Sequence, residues 1–542
     1  MKRLSLSRVL PVLQILLLLL DVGCVKPDRL PIFDTQLRYP EASAPEKSLW
    51  EPPEPPPQFL ADENLVTTAS GSLELTVEQA IQLALRNNRD LRIVQVNPVI
   101  AGTFEAFERG VFDPVMIGDL TVSREKSREV SQSGVWSTEV EDGHTAAVGL
   151  SQKLPTGTLV DVSAAQTGSD PDSTPPEQKA RIGLSVTQSL LRGFGPMVNL
   201  VSIRQAELGT AISNHELRGF TEALLANTEI AYWDYVLAGQ TIEIYERSLA
   251  IAQQQLDEIL QRIEVGTLPR IEAAAAHAEV ARREQALIDV RSQLEENRLR
   301  LLRLINLGQG RGFDQRIMAT SEAGFDPSPI SDLADRLLLA EKLRPDLSEA
   351  RLRLRQNRLS TTITRNGLLP QLDLFITLGK TGYGGAFADS LDEVDGDHYD
   401  VRGGIRLSHY LNNRQAVARD LAARASWRQA SEAVENLRQL IDLDVRLAVN
   451  EFERSRQQIA ATRATRLLQE ETLQAENERF DVGASTSLLV AQAQRDFLAS
   501  SIDEVEAIIN CRKALVRLYL AEGSLQERRG VRLADSALGG HQ

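Results

Sequence analysis

Two stretches of this sequence are too long and too free of helix breakers to belong to an ordinary globule. From Asn199 to Val265 there is no proline, and glycine occurs only at 209, 219 and 239. From Arg414 to Val482 there is neither. At about 1.5 Å rise per residue, each stretch predicts a continuous helix roughly 100 Å long. Ile242, Tyr245, Leu249, Ala252, Leu256, Ile259 and Ile263 step alternately by three and four, which is the spacing of a coiled-coil seam. Each helix then meets a glycine turn. Val265, Gly266, Thr267, Leu268 and Pro269 form the first, and Val482, Gly483, Ala484 and Ser485 the second. A returning helix follows each, over about 269–307 and 485–520.

The same order of elements therefore occurs twice, over 75–307 and 331–523. The first half opens at Leu75-Thr76-Val77-Glu78-Gln79-Ala80, where Thr76 and Gln79 have capping-box spacing. The second opens at Asp332-Leu333-Ala334. Arg89-Asp90-Leu91 and Pro345-Asp346-Leu347 each begin another helix, ending near Gly110 and Gly367. The returning helices are too short to line their long partners. Stacking the helices of 89–109 and 346–366 end to end on them restores the length, so each half predicts one continuous and one composite rod.

Between these helices the period changes to two. Ile182, Leu184 and Val186 alternate with Arg181, Gly183, Ser185 and Thr187. Leu372, Leu374, Ile376 and Leu378 alternate with polar residues save at Phe375, and Val401, Ile405 and Leu407 alternate with Arg402, Arg406 and Ser408. The strands are expected over about 114–188 and 370–408. A soluble sandwich and a membrane barrel both give this pattern. Pro155-Thr156-Gly157 marks a turn between 146–153 and 158–166, which allows six strands in the chain. The polar stretches 125–143, 167–179 and 384–399 are expected to be outward loops.

The N-terminus has the layout of an export signal. Lys2, Arg3 and Arg8 precede an apolar run from Val9 to Leu20, and Gly23-Cys24 follows. Residues 1–23 are expected to be removed and Cys24 to be the lipidation site, although Asp21 stands where a lipoprotein signal prefers a small aliphatic residue. Residues 24–74 are expected to be an anchor and linker, with prolines at 40, 45, 52, 53, 55, 56 and 57. Residues 524–542 are expected to form a flexible tail. With 60 basic against 75 acidic residues the net charge is -15, so no nucleic-acid partner is expected.

No enzyme chemistry is legible. The six histidines (144, 215, 277, 398, 409 and 541) never pair at helical zinc spacing. Gly379-Lys380-Thr381 lacks the upstream glycine of a phosphate loop, since Leu374 stands there. Of two cysteines only Cys511 would remain beside Cys24, so neither a disulfide framework nor a metal site is expected. No cofactor is expected.

The motifs taken together resemble the outer membrane efflux (TolC-like) family. They are the opening at 75–85, Thr187-Gln188 with Gly193-Phe194-Gly195 before the long helix, Arg262-Ile263-Glu264-Val265-Gly266-Thr267, and Arg479-Phe480-Asp481-Val482-Gly483. The resemblance implies an α+β fold: a trimeric outer-membrane β-barrel continuous with a long α-helical periplasmic barrel, built from two internal repeats. Four strands per chain, and twelve in the trimer, are usual in that family. It also implies a homotrimer in outer-membrane lipid, working with a periplasmic adaptor and an inner-membrane pump or ABC transporter to export substrate passively. The turns at 265–269 and 482–485 become the periplasmic tip and adaptor-docking points, and Glu478, Phe480 and Asp481 the aperture candidates. A periplasmic adaptor or a coiled-coil envelope scaffold is the alternative.

Overall fold

The computed structural model describes residues 72–531 except 131–133, 135, 172–174, 308–311, 323, 325–326 and 331. Cys24, the signal segment and the proline-rich stretch lie outside the described residues. The chain forms two compact units, one of strands (112–200 and 369–409) and one of helices.

In the helical unit, strand β1 (Leu73–Leu75) leads into α1 (Val77–Asn87) and α2 (Arg89–Arg109). Thr76 and Gln79 make the capping box reciprocally. The first long helix, α3, spans Val201–Glu264 and returns as α4 (Ile271–Ile305). The second half repeats the order with α5 (Leu333–Leu343), α6 (Pro345–Gly367), α7 (Arg414–Asp481) and α8 (Ser487–Glu522). Along α3, Ala252 and Ile259 are buried and the remaining seam residues half-buried, as coiled-coil pairing with α4 requires.

The composite rods are joined at two polar seams. Where α4 ends, Asn306 takes a left-handed φ of 41°; its side chain donates to the Asn87 carbonyl at 2.9 Å, and Asn88 donates to the Leu304 carbonyl at 3.0 Å. Arg303 pairs with Asp90 at 3.0 Å. The two amide bonds satisfy end carbonyls of α1 and of α4 that neither helix can satisfy alone. At the second seam Gly523 closes α8 at a φ of 66°, packed so tightly on Arg344 that a Cβ would lie 3.0 Å from its backbone. Arg344 also donates to the Ala521 carbonyl at 3.4 Å.

The main apolar core gathers α1, α3, α4 and α8 around Tyr232 and Trp233, whose rings meet edge to face at 5.4 Å. It includes a feature too short to leave a period in the sequence. β1 pairs in parallel with β6 (Ile317–Ala319). Two tyrosines of α3 hold the pair: Tyr232 donates to the Leu75 carbonyl at 2.9 Å and Tyr235 to the Ile317 carbonyl. Leu73 is fully buried, so the last residues of the expected linker belong to the core. Residues 524–531 depart from the expected tail for the same reason. Leu525 enters the core, and Arg529 pairs with Glu229 at 3.0 Å.

In the strand unit, β2 (Val115–Val130), β3 (Trp136–Lys153), β4 (Thr158–Pro171), β5 (Glu177–Ser189), β7 (Gln371–Gly384) and β8 (Tyr399–Ser408) form one antiparallel sheet in that order. Six strands, not four, belong to it. The expected loops at 125–143 and 167–179 are largely continued strand. Alternation fails there because polar residues occupy both faces, as at Arg124, paired across the ladder with Asp142. The stretch 384–399 carries a short helix, Phe387–Asp392.

Candidate functional site: the hairpin turns and the two faces of the sheet

Both hairpin turns are the same helix end. After α3, the Gly266 N–H donates to the Ile263 carbonyl at 3.0 Å and the Thr267 N–H to the Arg262 carbonyl at 2.9 Å. After α7, Gly483 donates to Phe480 at 3.0 Å and Ala484 to Arg479 at 2.8 Å. This Schellman pattern needs a left-handed residue at the turn, and Gly266 and Gly483 supply φ values of 79° and 77°. Thr486 then caps α8, accepting from the Leu489 N–H at 3.4 Å. Val265 and Val482 are 78% and 79% exposed, an apolar surface that folding of one chain leaves uncovered.

The two turns are held side by side. Arg262, in the last turn of α3, donates to Asp481 at 3.0 Å, and its guanidinium lies 5.1 Å from the Phe480 ring centroid. Ser487 donates to Glu272 across the hairpins. Phe480 and Asp481, two aperture candidates, thus share one partner on the other hairpin. Glu478 accepts from Gln474 on its own helix at 3.4 Å and joins no cross-hairpin contact among those described. Ser485 donates to Glu476 at 2.7 Å, drawing that carboxyl below its usual range. Leu268 is half-buried and Pro269 exposed; the Pro269 carbonyl accepts from Glu272 at 3.2 Å as α4 begins.

Farther along the rods from the turns is a buried polar layer. Arg283 of α4, 3% exposed, binds Glu279 at 3.0 Å and Gln494 of α8 at 3.5 Å, and Arg495 reaches Glu279 at 3.1 Å. The hairpins are thus joined here by charge and hydrogen bonds, and buried ion pairs of this kind add little net stability. Neither this layer nor the bridging role of Arg262 is marked by the helical periodicity. One signal was available for Arg262: an arginine stands four residues before the glycine in both turns, at 262 and 479.

The sheet divides its residues by face, because residues in register share a face and neighbours alternate. One row runs Met116, Leu150, Val162, Leu184, Leu378, Val401 across all six strands. Leu120, Val122, Val148, Ile182, Val186, Ile376, Ile405 and Leu407 lie on the same face, and Leu120 and Val122 are each 80% exposed. The opposite face carries Asp119, Asp161, Ser163, Ser185, Thr377, Asp400, Arg402 and Arg406. There Arg181 grips Asp400 through two bonds, of 2.5 and 2.9 Å. The guanidinium passes over Gly379, where a Cβ would come within 2.5 Å of it. An apolar face exposed across a whole sheet, backed by a charged one, is the wall of a barrel with lipid outside and water inside. No described helix is long and apolar enough to cross a membrane.

These features define a class: a channel subunit with a β-barrel wall and rod-length coiled coils. The profile of the outer membrane efflux protein family matches residues 160–307 and 337–524. The chain belongs to that family and is a subunit of an outer-membrane efflux channel. The outer membrane efflux protein BepC of Brucella suis biovar 1 (strain 1330) is 24% identical over 338 residues, covering 60% of this chain and 68% of BepC. The Campylobacter jejuni CmeC outer membrane channel is 17% identical, with a TM-score of 0.61 over 83% of this chain and 86% of that one. A membrane protein from Pseudomonas aeruginosa is 18% identical, with a TM-score of 0.62 over 90% and 99% of the two chains.

Proposed function

We propose that the chain works as a homotrimer whose paired turns at 265–269 and 482–485 form the periplasmic tip, dock a periplasmic adaptor and hold the duct shut at rest. The observation that carries this reading is the pair of identical turns, each presenting an exposed valine, tied together by Arg262. Exposed apolar side chains on rigid, well-capped turns are the kind of anchor a helical partner covers. The Arg262 bridge to Asp481 and Phe480 braces one hairpin against the other, so opening has to break it. Export through the duct is passive: a wet path through lipid removes a barrier, and an inner-membrane pump or ABC transporter supplies the energy. Cys24, once acylated, anchors the mature N-terminus to the outer membrane.

The docking reading is tested with a photo-crosslinking residue at Val265 or Val482 in living cells, and at Glu243 as a control away from the turns. Adducts to a periplasmic protein from both turn positions and none from the control are expected. Adducts from the control alone would overturn the assignment.

A further inference from the structure

We propose that the barrel of this channel has eighteen strands, closed by pairing β8 of one copy with β2 of the next, rather than the twelve usual in its family. The inference rests on the trimeric reading above.

The added hairpin is built into the wall. β2 and β3 pair over sixteen residues, Val115↔Ser151 to Val130↔Trp136, and β3 pairs with β4 over a further thirteen. The turn between β3 and β4 is locked to the segment after β5. Asn199 donates from one amide nitrogen to the carbonyls of Pro155, Gly193 and Gly195, at 3.1, 2.8 and 3.1 Å. The Gly195 N–H donates to the Thr156 carbonyl at 3.0 Å. Gly157, at a φ of 85°, packs so closely that a Cβ would lie 2.2 Å from the Gly193 carbonyl. A hairpin swung away from the sheet would lose the bonds to Pro155 and Thr156.

Strands β2 and β8 are then the two edges of the sheet. Inside lipid an edge cannot remain bare, because its unpaired N–H and C=O groups find no water there. The chosen occupant is a second copy of the same chain, and three observations favour it. The strand count is even, so β8 of one copy and β2 of the next run antiparallel, continuing the pattern of the sheet. The apolar row reaches both edges, at Met116, Leu120 and Val122 on β2 and at Val401, Ile405 and Leu407 on β8. On the charged face β8 brings Arg402 and Arg406 to the junction and β2 brings Asp119, of opposite sign. Tyr399–Leu407 supplies nine residues, about what a tilted strand needs to cross. Barrel diameter grows roughly linearly with strand number, so the exit would be about 1.5 times as wide as a twelve-stranded one.

The test pairs Arg406→Cys on β8 with Ile117→Cys, Asp119→Cys or Thr121→Cys on β2, one at a time. A second set pairs it with Asp161→Cys, Ser163→Cys or Ala165→Cys on β4, which would be the edge of a four-stranded sheet. After oxidation in outer membranes, covalent multimers from at least one β2 pair and none from the β4 set are expected. Multimers from the β4 set alone, or trimers that no β2 pair can cross-link, overturn the eighteen-strand barrel and leave the trimer standing. A wild-type protein with no trimer overturns the reading beneath it. As a second arm, deleting residues 115–152 is expected to abolish the heat-resistant trimer. A deletion variant that still trimerises and exports shows that the hairpin is not part of the wall.

Discussion

Replacing Arg262 by alanine should open the resting channel, by an amount the structure allows to be worked out. Arg262 makes two contacts across the hairpins, the 3.0 Å pair with Asp481 and the stack on Phe480. The arginine side chain is 37% exposed and that of Asp481 67%, so the ion pair belongs to the screened surface class, about 0–1 kcal/mol. An exposed cation–π stack adds about 0.5–1 kcal/mol. Roughly 1 kcal/mol per copy, summed over three copies that open together, is about 3 kcal/mol, or a shift of roughly 150-fold toward the open state. Single-channel recording of the purified trimer in a planar bilayer, without adaptor, measures open probability directly. Arg262→Lys should fall between wild type and alanine, because it keeps the charge and loses the planar stack. Exchanging the charges, Arg262→Asp with Asp481→Arg, should restore part of the closure. An alanine variant whose open probability stays within about threefold of wild type would refute the argument that this bridge braces the tip.

Other expectations follow from single residues. Gly266→Ala and Gly483→Ala meet no neighbour within 4 Å, so each should cost only the left-handed backbone penalty, about 1 kcal/mol by thermal unfolding. Gly157→Ala adds a contact of 2.2 Å to the same penalty and should prevent assembly, read as loss of the trimer band on unheated gels. Trp233→Ala, at a site 2% exposed, should destabilise the helical unit by about 3–5 kcal/mol in denaturant titration. Burial pushes the Glu222 carboxyl up to about 7, against the opposing pull of Arg218. A carboxyl raised in the folded state contributes most below its unfolded value, near 4.5, and that contribution is lost as pH rises through 7. Glu222→Gln should therefore raise the unfolding temperature at pH 8 and leave it unchanged at pH 4. A shift equal at both pH values would point to packing instead.

The long helices, their turns and the end-to-end stacking were legible because each rests on a strong local signal: breaker-free length, a glycine in the left-handed region, and a mismatch of helix lengths. The sheet was legible where one face is apolar and vanished where it is not. At Arg124 and Asp142 both faces are polar, so period two carries no hydrophobic signal although the backbone still pairs. The β1–β6 ribbon was invisible for a different reason. Three residues on each side, separated by the whole of α3 and α4, give no periodicity to detect; what holds them is a pair of tyrosine hydroxyls from a third element. At the tip the glycines were found and the bridge was not, because a charged residue on a long helix usually faces solvent and nothing nearby in sequence marks its partner on α7.

The polar seams at Asn306 and at Gly523 have a mechanical meaning. A helix carries torque along its own ladder of hydrogen bonds, and that ladder is severed where α4 abuts α2 and where α8 abuts α6. The α3 and α7 helices have no such break over 64 and 68 residues. A rotation imposed at the turns is therefore passed along α3 and α7, while the returning helices can swivel at their joints without unwinding. Each half of the chain thus pairs a drive shaft with a jointed follower.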